Sequence, residues 1–83
     1  DAEAAAFLIE ERKINGVGVD TLSLDFGAST TFDAHYAILG RGKFGIENVA
    51  NLKQIMGPQA TVGVGLPRWE KGSGGPARVL ALV

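Results

Sequence analysis

His35, the only histidine of the chain, and Glu47, a glutamate among apolar neighbours, are the side chains whose types and spacing point to chemistry. They stand twelve residues apart in the stretch HYAILGRGKFGIENVANL, residues 35–52. An imidazole can move a proton near neutral pH, and a carboxylate can orient the ring that does so. The same pair is a donor set that Zn or Mn accepts. Two ligands fall short of the three protein ligands that a catalytic zinc ordinarily keeps. The plainer reading is structural: His35 solvated or hydrogen-bonded within a helix, and Glu47 paired with Arg41 or Lys43. Asp20, Asp25 and Asp33 offer further oxygens, and no spacing singles one of them out as a ligand.

Other motifs are weaker. Gly40, Gly42 and Gly45 satisfy a GxGxxG pattern, but a phosphate-binding loop of that kind lies between a strand and the helix it opens. Here the order predicted is helix, turn, strand, so the glycines read as a turn. The Gly72-Ser73-Gly74-Gly75 run, with Arg78 nearby, reads as a flexible hairpin connection before it reads as an anion cradle. Ser23, Ser29, Thr30 and Thr31 precede the histidine without the spacing of a nucleophile elbow or a triad. Trp69, between Arg68 and Glu70, reads as a strand-end aromatic or an interface anchor. With no cysteine in the chain, thiolate metal sites, disulfides and cysteine nucleophiles are excluded.

The elements that must position His35 and Glu47 are short. Residues 2–13 combine good helix formers with apolar positions at Ala4, Phe7, Leu8 and, less regularly, Ala5 and Ile9, a pattern suited to one buried helical face; Asp1 and Glu3 suit the start of such a helix, Arg12 and Lys13 its end. Residues 17–24 alternate in polarity and predict a strand, followed by a loop over 25–32. Asp33 is the expected N-cap of a short helix over 34–39, closed by Gly40, which places His35 in its first turn. Residues 46–49 are a short apolar stretch, and Asn51 is the expected cap of a helix over 52–56 ended by Gly57 and Pro58. Strands are predicted over 60–66 and 77–83, the second apolar on both faces and therefore expected to be fully buried.

Length and composition set the frame. A chain of 83 residues is expected to form a single domain, residues 1–83, and one this small buries only about 60–65% of the surface its unfolded form exposes. Nearly half of its residues are apolar, more than a small monomer needs, so part of the apolar surface is expected to be covered by another copy or by a segment outside this sequence. The start at Asp1 without methionine, and the stop inside the apolar run 79–83, fit a part of a longer chain. Eight basic and nine acidic residues are interspersed, which argues against a nucleic-acid partner. The longest apolar run, residues 4–9, is too short to cross a membrane and has no basic segment before it, so a cytoplasmic setting is expected.

Gly18, Asp20, Ser23 and Asp25, followed by His35, Leu39, Ile46-Glu47-Asn48 and Asn51-Leu52, resemble the C-terminal part of the metal-dependent cyclase family, which includes kynurenine formamidase and isatin hydrolase. The closing run from Gly72 to Leu82 is similar to the family's glycine-rich turn and last strand, so the resemblance covers nearly the whole chain. It implies an α/β fold: part of a swivelling β/β/α domain, with a mixed sheet, one N-terminal helix and further short helices, completed by oligomerisation as a homodimer or higher. It also implies hydrolysis of amide, cyclic amide or ester bonds in small-molecule substrates through water activated by Zn or Mn, with His35 and Glu47 as metal ligands and His35 also as the catalytic proton shuttle. The family's principal ligand motif, His-x-Gly-Thr-His-x-Asp-x-Pro-x-His, lies in its N-terminal part and has no counterpart here. Two alternatives stand beside this truncated hydrolase: a non-enzymatic, self-associating fragment, and a new weak hydrolase that uses His35 as a general base oriented by a nearby carboxylate.

Overall fold

A computed structural model of the chain describes residues 1–57 and 59–83; the expected helix stop at Pro58 lies outside them. The described residues form a small α/β structure with two α-helices and two two-stranded sheets, arranged in two compact units, Asp1–Ala50 and Asn51–Val83. The sheet expected to be mixed is instead two separate sheets, one parallel and one antiparallel. Among the described residues no helix is long and apolar enough to cross a membrane.

In the first unit, α1 (Ala2–Glu10) begins where Asp1 Oδ1 accepts a hydrogen bond from the Ala4 amide at 2.8 Å. It ends at Glu10 rather than at Lys13, because the chain turns through a left-handed Lys13 with φ 55°. Ala5 and Ile9, four residues apart and hence one above the other, form its buried stripe. Strand β1 (Gly16–Gly18) follows and pairs in parallel with β2 (Phe44–Ile46), Gly18 lying opposite Ile46. The helix between them, α2 (Asp33–Leu39), buries Ala34 and Ile38, again four apart. Ile38 closes a small core with Ala5 and Ile9, against which Ile14, Val17, Leu24 and Ala37 pack.

The strand expected over 17–24 is only three residues long. Backbone bonding to the 46–49 segment continues as far as Thr21, whose carbonyl accepts from the Asn48 amide at 2.9 Å; from Ser23 the bonds are local, Thr21 Oγ1 donating to the Ser23 carbonyl at 2.8 Å and the Asp25 amide donating to Ser23 Oγ at 3.2 Å. The expected cap is also displaced by one residue. Phe32, not Asp33, is the N-cap of α2, and it has no side-chain capping bond. Gly40 caps the other end, and Gly42, at φ +70°, makes the turn into β2. A Cβ on Gly45 would lie 2.5 Å from a Leu24 methyl, so this glycine lets β2 approach the 21–25 loop. The GxGxxG residues thus serve a helix-turn-strand junction.

In the second unit the helix expected over 52–56 is a short 3-10 helix, Leu52–Ile55, with Asn51 at its N-cap. Strands β3 (Thr61–Gly65) and β4 (Arg78–Leu82) form an antiparallel pair in which Val64 faces Val79 and Val62 faces Ala81. The expectation that the last strand is fully buried is not met. Its pairing places Leu80 and Leu82 beside Gly63 and Thr61, which have little side chain to cover them, and Leu82 is 74% exposed. Trp69 lies in the connection between β3 and β4, and Gly72 and Gly75 pack so closely on it that a Cβ on either would lie 2.7 Å from its side chain.

Candidate functional site

The parallel β1–α2–β2 arrangement brings three side chains of the first unit together. Glu47 directly follows β2, so it sits at the carboxyl end of the two strands, where open α/β sheets commonly place their ligands. His35 is the third residue of α2, whose buried face is anchored by Ala34 and Ile38. Asp25 comes from the loop between β1 and α2.

His35 lies between two carboxylates. Its Nδ1 is 2.8 Å from Asp25 Oδ2, and its Nε2 is 3.3 Å from Glu47 Oε1. The Asp25 side chain is only 6% exposed, that of His35 28% and that of Glu47 33%, so the far side of the cluster opens to solvent. Glu47 is not free to swing, because its Oε1 also accepts a hydrogen bond from the Leu24 amide at 3.1 Å. Neither Arg41 nor Lys43 is its partner: Arg41 instead bonds Glu10 at 3.1 Å. The structural expectation for Glu47 is thereby corrected, because the turn at Gly42 carries Arg41 towards α1 and Glu47 towards α2.

Asp25 has a second task. Its Oδ1 accepts from the Ala34 amide at 2.9 Å and its Oδ2 from the His35 amide at 3.1 Å. It therefore caps the start of α2 from ten residues upstream, satisfying donors that an ordinary N-cap would serve. The hydrogen bond from His35, joined by those two amides, holds the Asp25 carboxyl below its ordinary 3.8, against the opposing effect of burial. A depressed pKa stabilises the fold above the ordinary value, and that contribution is lost as pH falls through 3.8 towards the folded value. Urea unfolding at neutral pH and in acid is expected to show the gap between wild type and Asp25→Asn narrowing below about pH 4. A gap independent of pH would mean that Asp25 is not ionised in this network.

Nitrogens and oxygens at this spacing suit a shared cation. Two ligand atoms, each about 2.0–2.1 Å from a tetrahedral zinc ion, are separated by about 3.3 Å, which is the His35 Nε2 to Glu47 Oε1 distance. Among the described residues no group of three or more His, Cys, Asp or Glu side chains is arranged to hold a metal ion. Asp25, the nearest other carboxylate, is committed to the opposite ring nitrogen and to the helix. The spacing of His35 and Glu47 in sequence marked both residues; nothing local marked Asp25 as the partner of the ring, since a loop aspartate ten residues before a histidine has no signature of its own. Compared with known proteins, the chain matches no protein-family model and no curated protein sequence.

Proposed function

We propose that the first unit supplies two ligands, His35 Nε2 and Glu47, to a divalent-metal centre of Zn or Mn, and that this centre belongs to a hydrolase of amide, cyclic amide or ester bonds related to the metal-dependent cyclase family. One observation carries the binding half of this reading. Both ionised carboxylates can only accept, and the shorter contact, 2.8 Å at Asp25 against 3.3 Å at Glu47, places the proton of a neutral His35 ring on Nδ1. The lone pair on Nε2 then faces a carboxylate oxygen at 3.3 Å, acceptor against acceptor. That arrangement calls for positive charge between them, either a second ring proton or a bound cation.

A divalent ion at this place would supply Lewis acidity, polarising a substrate carbonyl and lowering the pKa of water. The chain's own residues do the rest that the geometry supports. Asp25 orients the imidazole, as a carboxylate behind a liganding histidine ordinarily does. Leu24 holds Glu47 in place through its amide, and the apolar stripe of α2 fixes the height of His35. Three protein ligands are the usual catalytic minimum, so hydrolysis calls for further ligands from a second polypeptide segment, and a homodimer or higher oligomer is one source of them.

The metal-free alternative, His35 as general base, also finds Asp25 in the orienting position. It is disfavoured because Glu47 occupies the approach to the nitrogen that would have to receive the proton.

Titration of the chain with Co²⁺ and Zn²⁺ at mildly alkaline pH is expected to show saturable binding that His35→Ala abolishes. Formamide, cyclic amide and ester substrates, tried with Zn and with Mn, test the hydrolytic half. Absence of saturable binding, or binding unchanged in His35→Ala, would remove the proposal.

A further inference from the structure

Phe32 is out of place by ordinary helix chemistry. An N-cap residue takes an extended backbone and offers a side-chain oxygen to the first turn. Phe32 has φ 54° and ψ 43°, in the left-handed region, and makes no side-chain capping bond. Left-handed backbone is common for Gly and tolerable for Asn, but it is an outlier for a bulky aromatic side chain. Asn48 and Asn51, also at positive φ, fit that preference; Lys13, Lys71 and Phe32 do not, and of these three Phe32 is the one whose ring meets His35.

The capping need at this helix is already met by Asp25, whose two oxygens take the Ala34 and His35 amides. Position 32 is therefore released from capping, and Gly or Asn would serve the backbone with less strain. What Phe32 adds is its ring, which meets the His35 imidazole in a T-shaped contact with centroids 5.7 Å apart and planes at 88°. The backbone is pinned on both sides of this conformation: the Phe32 amide donates to Ser29 Oγ at 3.3 Å, and its carbonyl accepts from the Tyr36 amide at 3.0 Å. Strain that the surrounding structure enforces beside reactive groups is a recurrent mark of function.

From this we infer that Phe32 is a positioning residue: its left-handed backbone is held in place so that its ring braces the His35 imidazole in the plane where Nδ1 meets Asp25 and Nε2 meets Glu47. The contribution to cation affinity rests on the metal reading above. The bracing of the ring does not, and can be read without any metal.

Three variants separate strain from bracing. Phe32→Gly removes ring and strain, Phe32→Ala removes the ring and keeps the strain, and Phe32→Tyr keeps both. Phe32→Gly is expected to melt above Phe32→Ala by about 4–8 °C. Both are expected to speed exchange of the His35 Nδ1 proton with water, followed by NMR in metal-free protein, and to weaken Zn²⁺ binding about 3–10-fold, the worth of one aromatic contact. Phe32→Tyr should restore slow exchange and affinity. Equal melting of the Gly and Ala variants, or an Nδ1 proton that exchanges as slowly in Phe32→Gly as in wild type, would overturn the inference. If wild type binds no Zn²⁺, the metal proposal fails while the exchange measurement still decides the role of Phe32.

Discussion

Asp25→Asn is expected to reverse the tautomer of His35 and, with it, to lower divalent-cation affinity about 100-fold while the chain stays folded. The asparagine amide has one oxygen and one NH2 where the carboxylate has two acceptors. If the oxygen faces His35, the ring keeps its proton on Nδ1, but the NH2 collides with the Ala34 amide, and Nε2 still confronts Glu47 lone pair to lone pair. If the NH2 faces His35, the oxygen keeps the Ala34 bond, the amide donates to Nδ1, and the proton moves to Nε2, where it satisfies Glu47. The second arrangement sets the NH2 against the His35 amide as the first sets it against the Ala34 amide, but it alone removes the lone-pair contact at Glu47, and it is the favoured one. An Nε2 that carries a proton donates and cannot ligate. Nitrogen chemical shifts of His35 in the metal-free variant, measured where the ring is neutral, report the tautomer directly. Persistence of the Nδ1-protonated form in Asp25→Asn, with undiminished Zn²⁺ affinity, would show that Asp25 does not control the ring.

Ile38→Ala is expected to cost about 2–5 kcal/mol, enough to unfold most of the first unit. Ile38 is 5% exposed and is the contribution of α2 to a core in which it meets Ala5 and Ile9. Domains of this size are held by only about 5–10 kcal/mol in total, so the loss is comparable with the whole. The site should fail with the core. His35 lies one turn before Ile38 on the same helix, and the anchoring of that helix by Ala34 and Ile38 keeps the imidazole at the height of Glu47. Thermal unfolding followed by circular dichroism, together with the Nδ1 proton of His35, tests both halves. A loss below about 1 kcal/mol would mean that the core carries less of this unit than its burial indicates.

The parts of the molecule that were legible in the sequence are those whose causes are local. Asp1 ahead of an alanine-rich run specifies a capped helix without reference to the rest of the chain, whereas its buried stripe is Ala5 and Ile9 rather than the expected Ala4, Phe7 and Leu8, of which Ala4 and Phe7 are exposed. The same holds for a short helix that carries His35 and ends at Gly40. Locality also explains the errors. Alternation over 17–24 resembles a strand, yet regular pairing is confined to Gly16–Gly18, cross-bonds to residues 46–49 reach only Thr21, and from Ser23 the backbone is bonded locally by the Thr21 and Ser23 hydroxyls. Asp33 resembles an N-cap, yet the first amides of α2 had already found a carboxylate from another loop.

What the sequence determined by itself was the identity of two candidate site residues, His35 and Glu47, and the elements that bear them. That they stand 3.3 Å apart, with Asp25 behind the ring and Phe32 across it, was decided only by tertiary structure. The parallel pairing of Gly16–Gly18 with Phe44–Ile46 closes the long connection that carries α2, and it is this closure that carries Glu47 to the helix. Closing such a connection has an entropic cost that packing of Ala5, Ile9 and Ile38 must offset, and that balance is summed over residues far apart in the chain. No local propensity records it, so a residue such as Asp25 gains its role only when the fold is complete.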